Sequence, residues 1–338
     1  MTKMPHLHLA SPRSRPSRRT WLGALASTPW AWAASAQTPA RFPDRPITLV
    51  VPFAPGGIAD LTARAVADAM GRTLGLAVVV DNRPGAGSIA ATQAVLSARP
   101  DGHTLLLLSN GHAVSVGLFK RLPYDPLRDL APISTLGMFD LGVFAPVGGR
   151  HATLAAALAW ARTHPGQLNI ATINAGSTQH LAAKMLETQA GIDATVVPYK
   201  GTPAVVAALR SGEVDLAVEI VGPLLPQVGA GAVRALAVSS TQRHPALPDV
   251  PTVQQAGVAG YDVSSWNALA APAGTPAEVL AQLNQAVRDA LQSPAVRDRL
   301  QPSGMRLAAS SPVEARALLE REIRRWGDVI RAARIEPE

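Results

Sequence analysis

The segment of residues 47–60 constrains the fold more than any other part of this sequence. It begins with the β-branched run Ile47–Val51, passes through a turn rich in proline and glycine, and enters an amphipathic helical pattern. Such a turn leaves backbone N–H groups at a helix N-terminus, where the helix dipole favours negative charge. Gly56 and Gly57 would let a ligand approach the backbone closely. Two readings stay open here: an anion site, or an ordinary turn in which Asp60 partners the dipole.

Strand and helix patterns alternate along the rest of the chain. Further strand-like runs end in polar or glycine-rich segments at residues 82–88, 109–110, 174–180 and 200–203. Alternation of this kind is typical of an α/β fold, for which we expect mainly parallel sheets. In such folds ligands bind beyond the carboxyl ends of the strands. The sequence therefore predicts a cleft lined by these segments.

The first 36 residues have the pattern of an export signal rather than of a folded domain. The twin arginines Arg18 and Arg19 precede an apolar stretch at residues 21–34, and a small-x-small cleavage pattern follows. We expect cleavage of residues 1–36, export by the twin-arginine route and a mature chain that begins at Gln37. A general secretory signal is the alternative, and the apolar stretch is short for a membrane anchor.

Charge and cysteine content exclude several classes of protein. The whole chain has a net charge of +7, but residues 1–36 contain five basic and no acidic residues, so 26 basic and 24 acidic residues remain after cleavage. A net charge of +2 does not support a nucleic-acid partner. The chain has no cysteine, so it forms no disulfides and uses no thiolate chemistry.

The sequence carries no recognisable catalytic motif. It lacks a phosphate-binding loop, a nucleophile elbow, a zinc-binding helix and a cluster of histidines and carboxylates at ligand spacing, so we expect no metal and no cofactor. Gly85, Gly87 and Ala90 match a dinucleotide fingerprint only superficially, because three residues separate them from the strand. A binding protein is therefore expected. A hydrolase or isomerase that uses His180 or Asp60 as its base is the alternative.

Small polar side chains stand at several strand ends. Their hydroxyl and amide groups could donate hydrogen bonds to a carboxylate, although a hydroxyl at a helix start can equally be a plain N-cap. These side chains are Ser88, Ser109, Asn110, Ser177 and Thr178.

Nine short stretches, in order along nearly the whole mature chain, resemble one family. Each is weakly specific alone, but together they resemble the Bug-type extracytoplasmic solute receptors of the tripartite tricarboxylate transporter family. The stretches are residues 45–60, 82–87, 100–105, 122–126, 132–134, 197–201, 234–238, 247–252 and 271–276.

The resemblance implies an α/β, two-lobed periplasmic binding protein of type II-like form that closes over a small carboxylate. Residues 42–140 plus 265–338 would form lobe 1, and residues 141–264 would form lobe 2. The loops at residues 53–60 and 174–178 would face each other and hold the carboxylate through backbone groups and bridging waters. The implied ligand-binding residues are Phe53, Ala54, Gly56, Gly57, Ile58, Asp60, Ser88, Ser109, Asn110, Asn174, Ala175, Gly176, Ser177, Thr178, His180 and Glu219.

The chain departs from the family pattern at positions that affect the ligand. Ile58 replaces a small or polar residue and makes the cleft more apolar, while Glu219 could repel a second carboxylate. Ser88 and Ala175 are smaller departures. We therefore expect a monocarboxylate or an amino-acid-like ligand rather than citrate.

The resemblance also implies a location and partners. We expect a periplasmic monomer that delivers its ligand to membrane subunits of a tripartite tricarboxylate-type transporter. A ligand sensor for a signalling partner is the alternative, since both would use the same closed state.

Overall fold

The computed structural model describes residues 42–332 and 335–337. The predicted export signal at residues 1–36 lies outside the described residues. Within those residues, no helix combines the length and the hydrophobicity needed to cross a membrane.

Strands and helices alternate through the described chain, as the sequence pattern predicts. The strands are β1 (Ile47–Val51), β2 (Val78–Asn82), β3 (Thr104–Ser109), β4 (Leu130–Pro146), β5 (Leu168–Ile173), β6 (Ala194–Tyr199), β7 (Leu216–Ile220), β8 (Val233–Val238), β9 (Ser264–Pro272) and β10 (Arg306–Leu307). The α-helices are α1 (Ile58–Leu74), α2 (Ile89–Leu96), α3 (Asn110–Leu118), α4 (Leu154–Thr163), α5 (Thr178–Ala190), α6 (Thr202–Ser211), α7 (Val221–Gly229), α8 (Ala277–Gln292), α9 (Pro294–Leu300) and α10 (Pro312–Ala332).

The long strand β4 connects two halves of the sheet. The strand order is β2-β1-β3-β9-β4-β7-β5-β6, and β8 and β10 also pair with β4. From Leu130 to Asp140 the strand pairs with β9, and from Leu141 to Phe144 it pairs with β7. A single continuous strand therefore carries the chain from one half of the sheet into the other. Two lobes with the boundaries given above remain our prediction.

The prediction of mainly parallel sheets is wrong for the middle of the sheet. Pairing is parallel where β1 joins β2 and β3, and where β5 joins β6 and β7. It is antiparallel wherever β4 takes part and between β3 and β9. The reason is that β4 and β9 pass between the halves directly, whereas a parallel neighbour requires a crossover connection.

The inner strand β3 is buried, and its carboxyl end leads directly into α3. Leu105 to Leu108 of β3 are fully buried, as expected for a strand covered on both faces. On one helix, α1, the residues Ala63, Val66 and Met70 are also fully buried. That helix ends at Gly75, which adopts the left-handed conformation (φ 73°) that favours glycine at a helix C-terminus.

Candidate functional site: a cavity at converging helix N-termini

A small cavity lies where loops from both halves of the sheet meet. Its volume is about 30 Å³, which is room for about two water molecules. It is lined by Phe53, Ala54, Gly57, Ile58, Ala59, Ser109, Phe139, Ile173, Asn174, Thr178, Gln179, Gly201, Thr202, Ile220, Ser265 and Asn267.

Five helices begin at this cavity. Ile58, Thr178 and Thr202 are the first residues of α1, α5 and α6, and all three line the cavity. Ser109 and Ile220, which immediately precede α3 and α7, also line it. In the described chain no side chain caps the start of α1, α6 or α7. Because a helix N-terminus offers unpaired N–H groups and partial positive charge, five of them favour an anion.

The side chains around the cavity are neutral. Among the described residues, none of the lining side chains is an aspartate, glutamate, lysine, arginine or histidine. Two lining amides, Asn174 and Asn267, each have a buried Nδ2 that donates to no other described group. The cavity can therefore stabilise one negative charge with neutral donors, but it offers no opposite charge for a second one.

Seven of the sixteen predicted ligand-binding residues line the cavity. They are Phe53, Ala54, Gly57, Ile58, Ser109, Asn174 and Thr178. The other nine lie around it and make contacts that hold the lining in place. They are Gly56, Asp60, Ser88, Asn110, Ala175, Gly176, Ser177, His180 and Glu219.

Asp60 holds the loop before α1 in shape rather than lining the cavity. Its carboxylate accepts hydrogen bonds from the N–H of Gly56 (3.0 Å), from Arg64 Nε (3.0 and 3.1 Å) and from Asn82 Nδ2 (3.0 Å). Asn82 Nδ2 also donates to the carbonyl of Phe53 at 3.0 Å. Burial opposes ionisation of Asp60, but the bonds from Arg64, Gly56 and Asn82 outweigh it and lower its pKa.

Ser109 and Asn110 are held by partners behind the cavity. The Ser109 N–H donates to His112 Nδ1 at 3.1 Å, and burial lowers the pKa of His112 to about 4 although the contact with the Ser109 backbone opposes this shift. The imidazole is therefore neutral and caps α3. Asn110 Oδ1 accepts from Trp326 Nε1 (2.9 Å), and its Nδ2 donates to Thr178 Oγ1 (3.1 Å). Asn110 thus positions a lining hydroxyl from the other half of the sheet.

The second glycine-rich loop packs against protein, not against the cavity. The N–H of Gly87 donates to the carbonyl of Ala175 at 3.1 Å, and the Gly87 carbonyl accepts from Tyr124. Gly176 is left-handed (φ 78°), and a Cβ there would lie 2.7 Å from the Phe119 ring. The carbonyl of buried Ser88 accepts a hydrogen bond from the Thr92 hydroxyl of α2 at 2.9 Å. These residues support the loop before α5. The segment that superficially matches a dinucleotide fingerprint therefore has a structural role.

Ser177, His180 and Glu219 complete the surroundings of α5. Ser177 is the N-cap of α5, because its hydroxyl accepts from the N–H of His180 at 3.1 Å. Both residues are buried outside the lining. Glu219 is fully buried behind the wall, where its Oε1 accepts from Gln179 Nε2 at 2.8 Å. Burial raises the pKa of Glu219, and its hydrogen bonds oppose that shift.

Sequence reasoning missed nine lining residues. The sequence gives a signal for Gly201 and Thr202, because a strand-ending loop is recognisable at residues 200–203. It gives no such signal for the residues within β4 and β9, because only strand pairing brings them to the cavity. The missed residues are Ala59, Phe139, Ile173, Gln179, Gly201, Thr202, Ile220, Ser265 and Asn267.

Comparison with known proteins relates the chain to one family of receptors. Residues 62–335 match the family model described as "Tripartite tricarboxylate transporter family receptor". The chain is 35% identical to protein BugT of Bordetella pertussis over 292 residues, which cover 86% of this chain and 90% of BugT.

Two solved structures from Rhodopseudomonas palustris are similar along their whole length. MatC with bound malate superposes with a TM-score of 0.82 at 35% identity, covering 86% of this chain and 100% of MatC. A second protein, determined with adipate, gives 0.84 at 32% identity, covering 88% of this chain and 100% of that chain.

Replacing Asp60 by asparagine should destabilise the folded chain at neutral pH. Because the variant loses acceptors for Arg64 and the Gly56 N–H, urea denaturation at pH 7 should show a loss of about 1–3 kcal/mol. The pKa of Asp60 is lower in the folded than in the unfolded chain. Its contribution is therefore full above the unfolded pKa and disappears as pH falls through the folded pKa, so the native and variant proteins should converge there.

Asp68→Asn is the matched control on the same helix. Asp68 is exposed and makes only a 3.4 Å contact with Arg299, so its loss should change stability by less than about 0.5 kcal/mol. Equal stability of D60N and the native protein at pH 7 would contradict the role given to Asp60.

Proposed function

This chain belongs to the receptor family of the tripartite tricarboxylate transporters, and from that premise we propose that it captures a small carboxylate in the periplasm. One observation carries the proposal: five helix N-termini meet around a cavity whose lining side chains are neutral. A carboxylate is the common solute group that this arrangement suits, because it takes hydrogen bonds from N–H groups without needing a cation.

The donors in the lining are arranged for a carboxylate. Ile58 and Ala59, the first two residues of α1, line the cavity next to Gly57, which has no side chain, and no side chain caps this helix start. Asn174 and Asn267, whose buried amide nitrogens donate to no other described group, line the same cavity. A carboxylate oxygen would satisfy these buried donors, each of which is costly to leave unpaired.

The relatives support the same class of ligand. MatC is described with bound malate and the second Rhodopseudomonas palustris protein with adipate, both of which are small carboxylates. We extend the class, and not either compound, to this chain. The hydrolase or isomerase alternative gains nothing from the site, because both oxygens of Asp60 are occupied by Arg64, Gly56 and Asn82.

Capture would proceed by closure of two lobes. The loop after β1 and the loop after β6 come from different halves of the sheet, and they touch at positions without side chains. An added Cβ at Gly57 would lie 3.0 Å from Thr202 Oγ1, and one at Gly201 would lie 2.8 Å from Ala54 Cβ. A ligand that contacts both loops would stabilise this closed arrangement over an open one.

The closed state would then be recognised by a partner. Membrane subunits of a tripartite tricarboxylate-type transporter are the partner that we propose, after export of a monomer by the twin-arginine route. A signalling partner is the second candidate and would read the same closed state.

A screen of carboxylates should identify the ligand class. A mono-, di- or tricarboxylate at a hundred times its Kd should stabilise the exported protein by about 2.7 kcal/mol, seen as a rise in Tm. The control is the amide in which every carboxyl group of the same acid is converted, and it should give a much smaller rise because no carboxylate remains. The proposal fails if no carboxylate raises Tm and mass spectrometry of the denatured protein releases no co-purified acid.

Gly201→Ala should hinder closure. Its added methyl group meets Ala54, and overpacking of this kind costs about 1–3 kcal/mol, so the ligand found in the screen should bind roughly 10- to 100-fold more weakly. Small-angle scattering should show less compaction with ligand than in the native protein.

Gly212→Ala is the control for backbone strain. Like Gly201 (φ 150°), Gly212 has a positive φ (72°), and it ends α6, but an added Cβ there meets nothing within 4 Å. This variant should lose stability and keep its affinity. Equal affinities of G201A and the native protein would exclude the closing contact.

A further inference from the structure

Glu219 is a buried carboxyl group placed directly behind the cavity wall. It lies on β7 opposite Gly142 of β4 and is fully buried. Its Oε1 accepts two hydrogen bonds, from Gln179 Nε2 at 2.8 Å and from the N–H of Ile220 at 2.7 Å. The side chain of Thr202, which also lines the cavity, makes a further contact with this carboxyl group. Both groups bonded to Oε1 belong to residues that line the cavity.

These contacts fix the orientation of the Gln179 amide. A carboxylate accepts and cannot donate, so it must face the NH₂ end of the amide. A protonated carboxyl would give the same result, because Oε1 already accepts two bonds and the proton would occupy Oε2. In either charge state the Gln179 amide uses its NH₂ group for Glu219, so its carbonyl oxygen stays available. That oxygen accepts no hydrogen bond from the described residues, and the Gln179 side chain lines the cavity.

The cavity is consequently asymmetric. Helix N-termini and the amide nitrogens of Asn174 and Asn267 offer donors, whereas Gln179 offers an acceptor. A ligand that matches both needs one carboxylate and one donor. A second ionised carboxylate would be repelled by the Gln179 carbonyl oxygen and by the Glu219 carboxyl group behind it. No cationic side chain among the lining residues would compensate for that repulsion.

We propose that Glu219 is a positioning residue that turns the Gln179 carbonyl oxygen toward the cavity, so that the site selects a carboxylate whose other polar group is a hydrogen-bond donor. Hydroxyl, amide and ammonium groups are such donors. The inference rests on the proposed function and narrows its ligand class by disfavouring the second ionised carboxylate that malate and adipate both carry.

Calorimetry on the full receptor tests this selection with matched probes. Malonate, succinate and adipate are each compared with the monoamide of the same acid, which keeps one carboxylate and the chain length. We expect at least one monoamide to bind about tenfold or more tightly than its diacid. If the diacids bind as tightly or more tightly, the inference is overturned while the proposed function stands. If no compound of either kind binds and the carboxylate screen is also negative, both this inference and the proposed function are overturned.

Variants at Glu219 separate positioning from simple charge repulsion. Glu219→Gln keeps an acceptor for Gln179 and Ile220, so the preference for the monoamide should persist. Glu219→Met removes the acceptor and lets the amide turn, so the ratio of the two Kd values should approach one. Loss of the preference in E219Q as well as in E219M would overturn the positioning role.

Gln179→Ala gives a test that does not depend on the folding of a Glu219 variant. It removes the oriented carbonyl and should abolish the preference by itself. Adding E219M to Q179A should then change the ratio no further, whereas an additional change would show that Glu219 acts on the ligand without Gln179.

Discussion

Unpaired N–H groups at helix N-termini are the constraint on which this structure depends. Each helix leaves several of them without an internal partner, and burying them unsatisfied is costly. Here five helices begin at one cavity, so the cost and the partial positive charge are concentrated in one place. The nearest acidic side chains do not cancel that charge. Asp60 forms a salt bridge with Arg64, and Glu219 lies behind Gln179.

The surrounding contacts serve to keep these helix starts in position. Asn110 connects Trp326 of α10 to Thr178 at the start of α5, across the two halves of the sheet. The pair Gly87 and Ala175 joins the loop before α2 to the loop before α5. Several residues that the sequence motifs predict to bind the ligand therefore lie behind the lining residues and support them. Rigid support of this kind is what a site built from backbone groups requires, since its donors cannot be adjusted by side-chain rotation.

The sequence predicted local units well and long-range pairing poorly. The bounds of β1 agree with the β-branched run Ile47–Val51, and the α/β class is confirmed by the structure and its similarity to periplasmic receptors. Helix α3 has a weak sequence signal because Gly111, Gly117 and its β-branched residues have low helix propensity, and α7 has a weak one because of its prolines. In the site, loops at strand ends were recognisable from sequence. Phe139 and Asn267 were not, because they reach the cavity only through the pairing of β4 with β9.

The position of β9 has a consequence for the order in which the chain can fold. Although β3 and β4 are consecutive strands in sequence, they do not touch as neighbours in the sheet, because β9 lies between them. Leu107 pairs with Leu269, and Met138 pairs with Trp266, over sequence separations that close large loops. A nascent chain that ends before residue 264 leaves both strands with an open edge. The first half of the sheet is thus completed only after the second half has been synthesised.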